Sequence, residues 1–271
     1  MQAPAATASP HRDRVLARCL RALAVLQVVV FVFVLWATII RAPFEDMLSW
    51  LDAYQRYRAT GGLLSYLFQF FQEHRLVWVR LLIAIDASTF QSSGLPFIAV
   101  GSIALVGVAV LLTREFIRAI PAGGPLAALP WICPMLVLTT ANAVDCSVPV
   151  NIVYPLTLLF VVGAGVLFDG PGEAERHLRM RRGAAVALAA GAGLANAVGL
   201  LAWPVLLWSA WRCRAGWRWL AAIATLCACY GVAYLHGLVG LLGYVNWMNS
   251  GYFPETPTCL LYTSPSPRDT R

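Results

Sequence analysis

The chain has 271 residues, 59% of them hydrophobic and only 12% charged. A water-soluble domain carries about twice that charged fraction, so the composition excludes a soluble globule; with a mean hydropathy of +0.69 it predicts an all-α, polytopic integral membrane protein. The net charge is +7, but the basic residues cluster in short stretches between apolar segments, which is the mark of membrane topology and excludes a nucleic-acid partner.

All twenty basic residues are arginine, and with the richness in Ala and Gly this suggests a GC-rich bacterial genome. Residues 1–21 read as a cytoplasmic N-terminal tail, Ala/Ser/Pro-rich at first and then basic at Arg12, Arg14, Arg18 and Arg21. The apolar run 22–40 follows directly. It is long enough to span a bilayer, exceeds a signal-peptide core and has no small-x-small cleavage site after it. It is therefore an uncleaved first transmembrane helix that delivers Glu45 and Asp46 to the outer face.

Residues 42–92 form the first extracytoplasmic loop. Within it, 44–57 read as a short amphipathic helix broken by Gly61 and Gly62. Residues 63–85 resume as one aromatic-rich interfacial helix, too polar in its middle for a simple crossing. Ser92, Ser93 and Gly94 make a turn. Spans are then expected over 95–112, 126–140 and 150–168, with Asn142, Asp145 and Asn151 in the outer loop between the last two.

Residues 183–211 have arginines at both ends and are too short for two full crossings, which need about 20 residues each. The expected solution is a pair of short helices turning near Asn196 and Gly199, with the turn shielded by protein. A last span covers 217–238, which makes about seven transmembrane segments in all. This topology puts thirteen of the arginines inside and five outside. Residues 22–258 thus form one membrane domain. Cys259 to Asp269 matches a translated reading frame of a transposase-type sequencing adapter, so 259–271 are expected to be an artefact tail on a truncated fragment. The seven cysteines show no metal-like spacing and read as small core residues.

The first loop holds the candidate chemistry. Glu45 and Asp46 stand at the exit of the first helix, Asp52 lies two turns on from Glu45 along the same face, and Glu73, His74, Arg75 and Arg80 follow. A carboxylate beside cations at membrane level suits glycosyl transfer from a lipid phosphate. The carboxylate takes the acceptor's proton, while arginine and histidine neutralise the phosphate leaving group. Adjacent helical residues diverge by about 100°, so one of the two carboxylates faces a cavity; Asp46 is preferred as base and Glu45 is the alternative. Asp145 is a candidate second-site carboxylate. His236 and His177 read as structural and solvated residues.

The layout resembles a GT-C-type polytopic glycosyltransferase, the superfamily of protein O-mannosyltransferases and aminoarabinose transferases. The segment QEHRLVWVRLL resembles an (N)EHR-x-x-x-x-R-L-L motif of a bacterial subgroup, matched at Glu73, His74, Arg75, Arg80, Leu81 and Leu82, with Gln72 in place of the usual Asn. GLANAVGLLAWPVLLW resembles that subgroup's small-Asn-x-x-Gly-Leu-x-x-Trp-Pro element at Asn196, Gly199, Trp203 and Pro204. An expected aromatic Gly-Phe-Gln element is replaced by Asn142, Asp145 and Asn151.

The resemblance implies a multi-helix transmembrane bundle in the bacterial inner membrane, N-terminus cytoplasmic. It implies an inverting glycosyltransferase with a polyprenyl-phosphate sugar donor, an unidentified extracytoplasmic acceptor and membrane lipids as partners. Glu45 and Asp46 would be catalytic, with Arg75, His74 and Arg80 on the donor phosphate and Glu73 and Asp52 in support. No cofactor is implied; a divalent ion on the carboxylates is compatible with the sequence, although no metal-ligand motif is present. The alternatives are a polytopic transporter or lipid flippase, and a structural subunit without catalysis.

Overall fold

The computed structural model describes residues 10–40, 46–71, 74–120, 126–169 and 175–236, without the side chains of 10–13 and 175. Glu45, Glu73 and the adapter-like tail lie outside these residues. In chain order the helices are α1 (Pro10–Thr38), α2 (Asp46–Thr60), α3 (Leu63–Phe68), α4 (Val77–Thr89), α5 (Leu95–Ala119), α6 (Ile132–Val137), α7 (Thr140–Ser147), α8 (Val153–Phe168), α9 (Glu175–Gly193), α10 (Ala202–Arg212) and α11 (Trp217–Leu235). Short 3-10 turns precede α6, α8 and α10. The chain divides into two compact units, Met1–Tyr230 and Gly231–Arg271; the site lies within the first.

Among the described residues, five segments are long and apolar enough to cross a membrane: Arg14–Thr38, Leu95–Ala119, Leu129–Ser147, Pro149–Phe168 and Trp217–Leu235. Their outer surfaces are apolar. Among the described side chains of α1 only Ala24 and Phe31 are buried, while Val25, Val29, Phe33 and Trp36 are exposed. Water would penalise so continuous an apolar face, whereas lipid matches it. This is the pattern of an all-helical membrane protein.

The ends of α1, α5 and α8 nearest the first loop are fastened together. Ile40 N–H donates to the Ser147 carbonyl at 3.2 Å. Gly94, at φ 74°, precedes α5 where a Cβ would lie 2.7 Å from Pro149 Cγ and 3.8 Å from the Ile40 carbonyl, so only glycine fits both the backbone and the space. The fully buried Asp86 carboxylate secures this turn. It accepts the Gly94 N–H at 2.9 Å and the Ser93 hydroxyl at 3.3 Å.

Several expectations change. Residues 63–85 are two helices, α3 and α4, because the chain turns extended at Gln69 and then pairs Phe71 with His74 through reciprocal 2.9 Å N–H···O bonds. α4 restarts at Val77 because the N–H of that residue is met by the Leu194 carbonyl at 2.9 Å. Asn142 and Asp145 belong to α7 and not to a loop: Thr139 caps that helix by accepting the Asn142 N–H at 3.1 Å. The third span therefore runs on to Ser147 but is broken at Leu138, whose carbonyl accepts the Gln27 amide of α1 at 2.6 Å. Arg14, Arg18 and Arg21 lie within α1, with no separate basic flank before it. The turn expected near Asn196 and Gly199 is present, with both residues buried between α9 and α10, but α9 begins at Glu175 and so is longer than the short helix expected from 183.

Candidate functional site

α2 buries Met47, Trp50 and Tyr54, one stripe of an amphipathic helix. These residues pack with Tyr66, Leu76, Val79, Ile83 and Phe97 into a core that fixes the first loop on the bundle. Asp46 opens α2 one turn before Trp50, and both line a cavity of about 260 Å³. Phe71, whose ring meets Trp50 edge-on at 5.9 Å, forms part of the same wall. His74, Asn151, Tyr154 and Asn196 complete the polar and aromatic lining. Four segments far apart in sequence thus converge on one space.

The segment carrying His74 is stitched to the turn carrying Asn196. The Ala197 N–H donates to His74 Nδ1 at 3.3 Å, the Val77 N–H to the Leu194 carbonyl at 2.9 Å, and the Trp78 indole N–H to the Gly191 carbonyl at 2.8 Å. An accepting Nδ1 assigns the ring proton of His74 to Nε2. Asn196 is itself held by its turn, because its Oδ1 accepts the Val198 N–H at 3.0 Å. The two segments that carry the resemblance are therefore bonded to each other.

The remaining expected site residues divide. Asp52 pairs with Arg56 on the exposed side of α2, away from the cavity. Arg75 donates to the Phe68 carbonyl at 2.7 Å and lies 4.1 Å from the centre of the Phe70 ring; it is not among the lining residues. Arg80, also outside the lining, is 3% exposed and sits 5.3 Å from the Tyr66 ring centre. Its Nη2 donates to the Gln69 carbonyl at 3.3 Å, while Nε and Nη1 have no hydrogen-bond partner among the described residues. Burial lowers the guanidinium pKa to about 10, against a smaller opposing influence of Tyr66, so the group stays cationic at neutral pH. Burial also raises the Tyr66 phenol, whose hydroxyl donates to the Arg80 carbonyl at 2.9 Å.

Two features escaped the sequence reading. Trp50 and Tyr154 belong to the cavity wall, and the Trp50 Nε1 has no hydrogen-bond partner among the described residues. A second cavity of about 170 Å³ holds Asn142 and Asp145 and shares Asn151 and Tyr154 with the first. Among the described residues no three His, Cys, Asp or Glu side chains converge as metal ligands. Comparison with family profiles, curated proteins and solved structures finds no match to this chain.

Proposed function

We propose that the protein is a GT-C-type glycosyltransferase of the bacterial inner membrane, N-terminus cytoplasmic, that moves a sugar from a polyprenyl-phosphate donor to an extracytoplasmic acceptor. One observation carries this reading: Asp46, His74 and Asn196 line one cavity, and the His74 segment is hydrogen-bonded to the Asn196 turn. A base, a phosphate-facing donor and a rigid backing turn are what the transfer requires.

In this reading the Asp46 carboxylate takes the proton of the acceptor hydroxyl. The acceptor oxygen bonds to the anomeric carbon from the face opposite the phosphate, the sugar–phosphate C–O bond breaks, and polyprenyl phosphate leaves with inversion. His74 donates from Nε2 to the leaving phosphate. Its Nδ1 accepts the Ala197 N–H, so Nε2 is the nitrogen that carries the donated proton. The resemblance assigns positive charge at the phosphate to Arg75 and Arg80; neither lines the cavity, and two Arg80 nitrogens are buried without a hydrogen-bond partner among the described residues. Glu45 keeps the catalytic role, as the alternative base, and Glu73 the supporting role that the resemblance implies.

The test is transfer from a panel of radiolabelled polyprenyl-phosphate hexoses and pentoses in membranes carrying the protein. Transfer that falls in Asp46→Asn supports the reading; no transfer from any donor removes it. A transporter or flippase is the second reading, favoured by the break at Leu138 inside a spanning segment, since broken helices carry transporter sites. Flux of a labelled lipid in proteoliposomes, without glycosyl transfer, would select it.

A further inference from the structure

A second region is independent of the glycosyl-transfer reading. An open groove of about 710 Å³ runs between α1, α5 and the segment containing α6. Val25 and Val28 form one wall, Val106 and Val110 another, and Pro134 and Leu138 the floor. The groove ends at Arg114, Arg118 and Trp131, and the Arg21 guanidinium lies 4.9 Å from the centre of the Trp131 ring. Arg21 is one turn before Ala24 and Val25 on α1, whereas Arg114 and Arg118 are in the last turns of α5. The two helices run antiparallel, so their cationic ends meet at one mouth.

The dimensions match one leaflet. From Val106 to Arg118, α5 rises about 18 Å, against roughly 15 Å for half of a bilayer's hydrocarbon core. The aliphatic walls therefore lie at acyl-chain depth and the arginines at headgroup depth. Glu115 pairs with Arg118 at 2.6 Å, but Arg21 and Arg114 have no ion-pair partner among the described residues. The mouth is left with net positive charge.

We infer that this groove binds an anionic diacyl phospholipid, with one acyl chain along Val28 and Val110 and the phosphate between Arg21 and Arg114. A choline headgroup would bring its own cation to a cationic mouth, so a zwitterionic lipid gains less there. If the N-terminus is cytoplasmic, the lipid belongs to the inner leaflet.

Delipidated protein titrated with phosphatidylglycerol or phosphatidylcholine, and read by native mass spectrometry, tests this. Wild type should retain phosphatidylglycerol at least tenfold better, with about fivefold of the preference lost for each arginine neutralised. Preference should vanish in R21Q/R114Q and persist in R21K/R114K, which keeps the charge. V110W, which fills the groove from an exposed position, should weaken retention of both lipids. Equal retention of the two lipids by wild type, or an unchanged preference in R21Q/R114Q, overturns the assignment.

Discussion

The Nδ1 of His74 accepts the backbone N–H of Ala197 at 3.3 Å, and this one bond makes a prediction that separates fold from chemistry. His74→Asn places an acceptor near the Nδ1 position and no donor near Nε2; His74→Gln does the reverse. The Asn variant should melt within about 2 °C of wild type yet lose about 10²-fold in transfer, the usual effect of removing one transition-state donor. The Gln variant should lose about 1 kcal/mol of stability with the Ala197 bond and keep more transfer. The opposite pattern would assign His74 to the fold alone.

Gly199 supports the same turn. A Cβ there would lie 2.0 Å from the Ala192 carbonyl oxygen and 2.1 Å from its carbon, both backbone atoms that cannot rotate away. Gly199→Ala should therefore lower the melting midpoint in detergent by about 5 °C or more. Gly191→Ala is the control: its added methyl meets the Phe160 ring at 3.6 Å and the Trp78 ring at 3.7 Å, ordinary van der Waals contacts, and should leave the midpoint nearly unchanged.

What the sequence disclosed follows from how local each cause is. The turn at Asn196 was legible because an Asn that caps and a small residue that permits close approach act within a few positions. The spanning helices were legible because burial in lipid needs only length and apolarity. The break between α3 and α4 was not, since its restart depends on a carbonyl from Leu194, more than a hundred residues away. The same holds for Gln27, whose amide closes the gap at Leu138. Arg75 and Arg80 look alike in the motif, but one lies on the Phe70 ring and the other is buried under Tyr66. Helical divergence required one of Glu45 and Asp46 to face a cavity, and Asp46, the preferred one, lines one; Glu45 lies outside the described residues.

Arg80 offers a test in which stability and activity move oppositely. A buried guanidinium with two unpartnered nitrogens costs the folded state. Arg80→Met should raise the melting midpoint by a few degrees and abolish donor retention. Because burial lowers this group's folded pKa to about 10, the unfolded chain holds the proton more tightly. The wild-type contribution therefore improves as pH climbs past about 10 and is poorest below it. A destabilised Arg80→Met with intact transfer would make Arg80 a structural residue.

Orientation is tested at two exposed positions. Ser65 lies on α3 in the first loop, and Cys213 is an exposed free thiol just beyond α10, beside Arg212 and Arg214. In a background lacking the other cysteines, Ser65→Cys should react with an impermeant maleimide on intact cells, and Cys213 only after permeabilisation. Reversal of the two would place the first loop in the cytoplasm and remove access to an extracytoplasmic acceptor.

The proposed function rests on Asp46. It is partly buried, opens α2 and lines a cavity that His74 and Asn196 also line. Asp52, the other described carboxylate of α2, is committed to Arg56 in solvent and so should tolerate substitution. Asp46→Asn keeps the shape and removes the proton acceptor, so turnover should drop by roughly 10² to 10⁴ while the donor is still retained. Asp52→Asn should leave turnover unchanged, and Glu45→Gln should have an intermediate effect if it orients Arg75. The measurement is single-turnover transfer from the radiolabelled donor, paired with donor retention on the same membranes. Full transfer in both Asp46→Asn and Glu45→Gln would withdraw the base from this loop and move attention to Asp145, which lies in the adjoining cavity behind Asn151 and Tyr154.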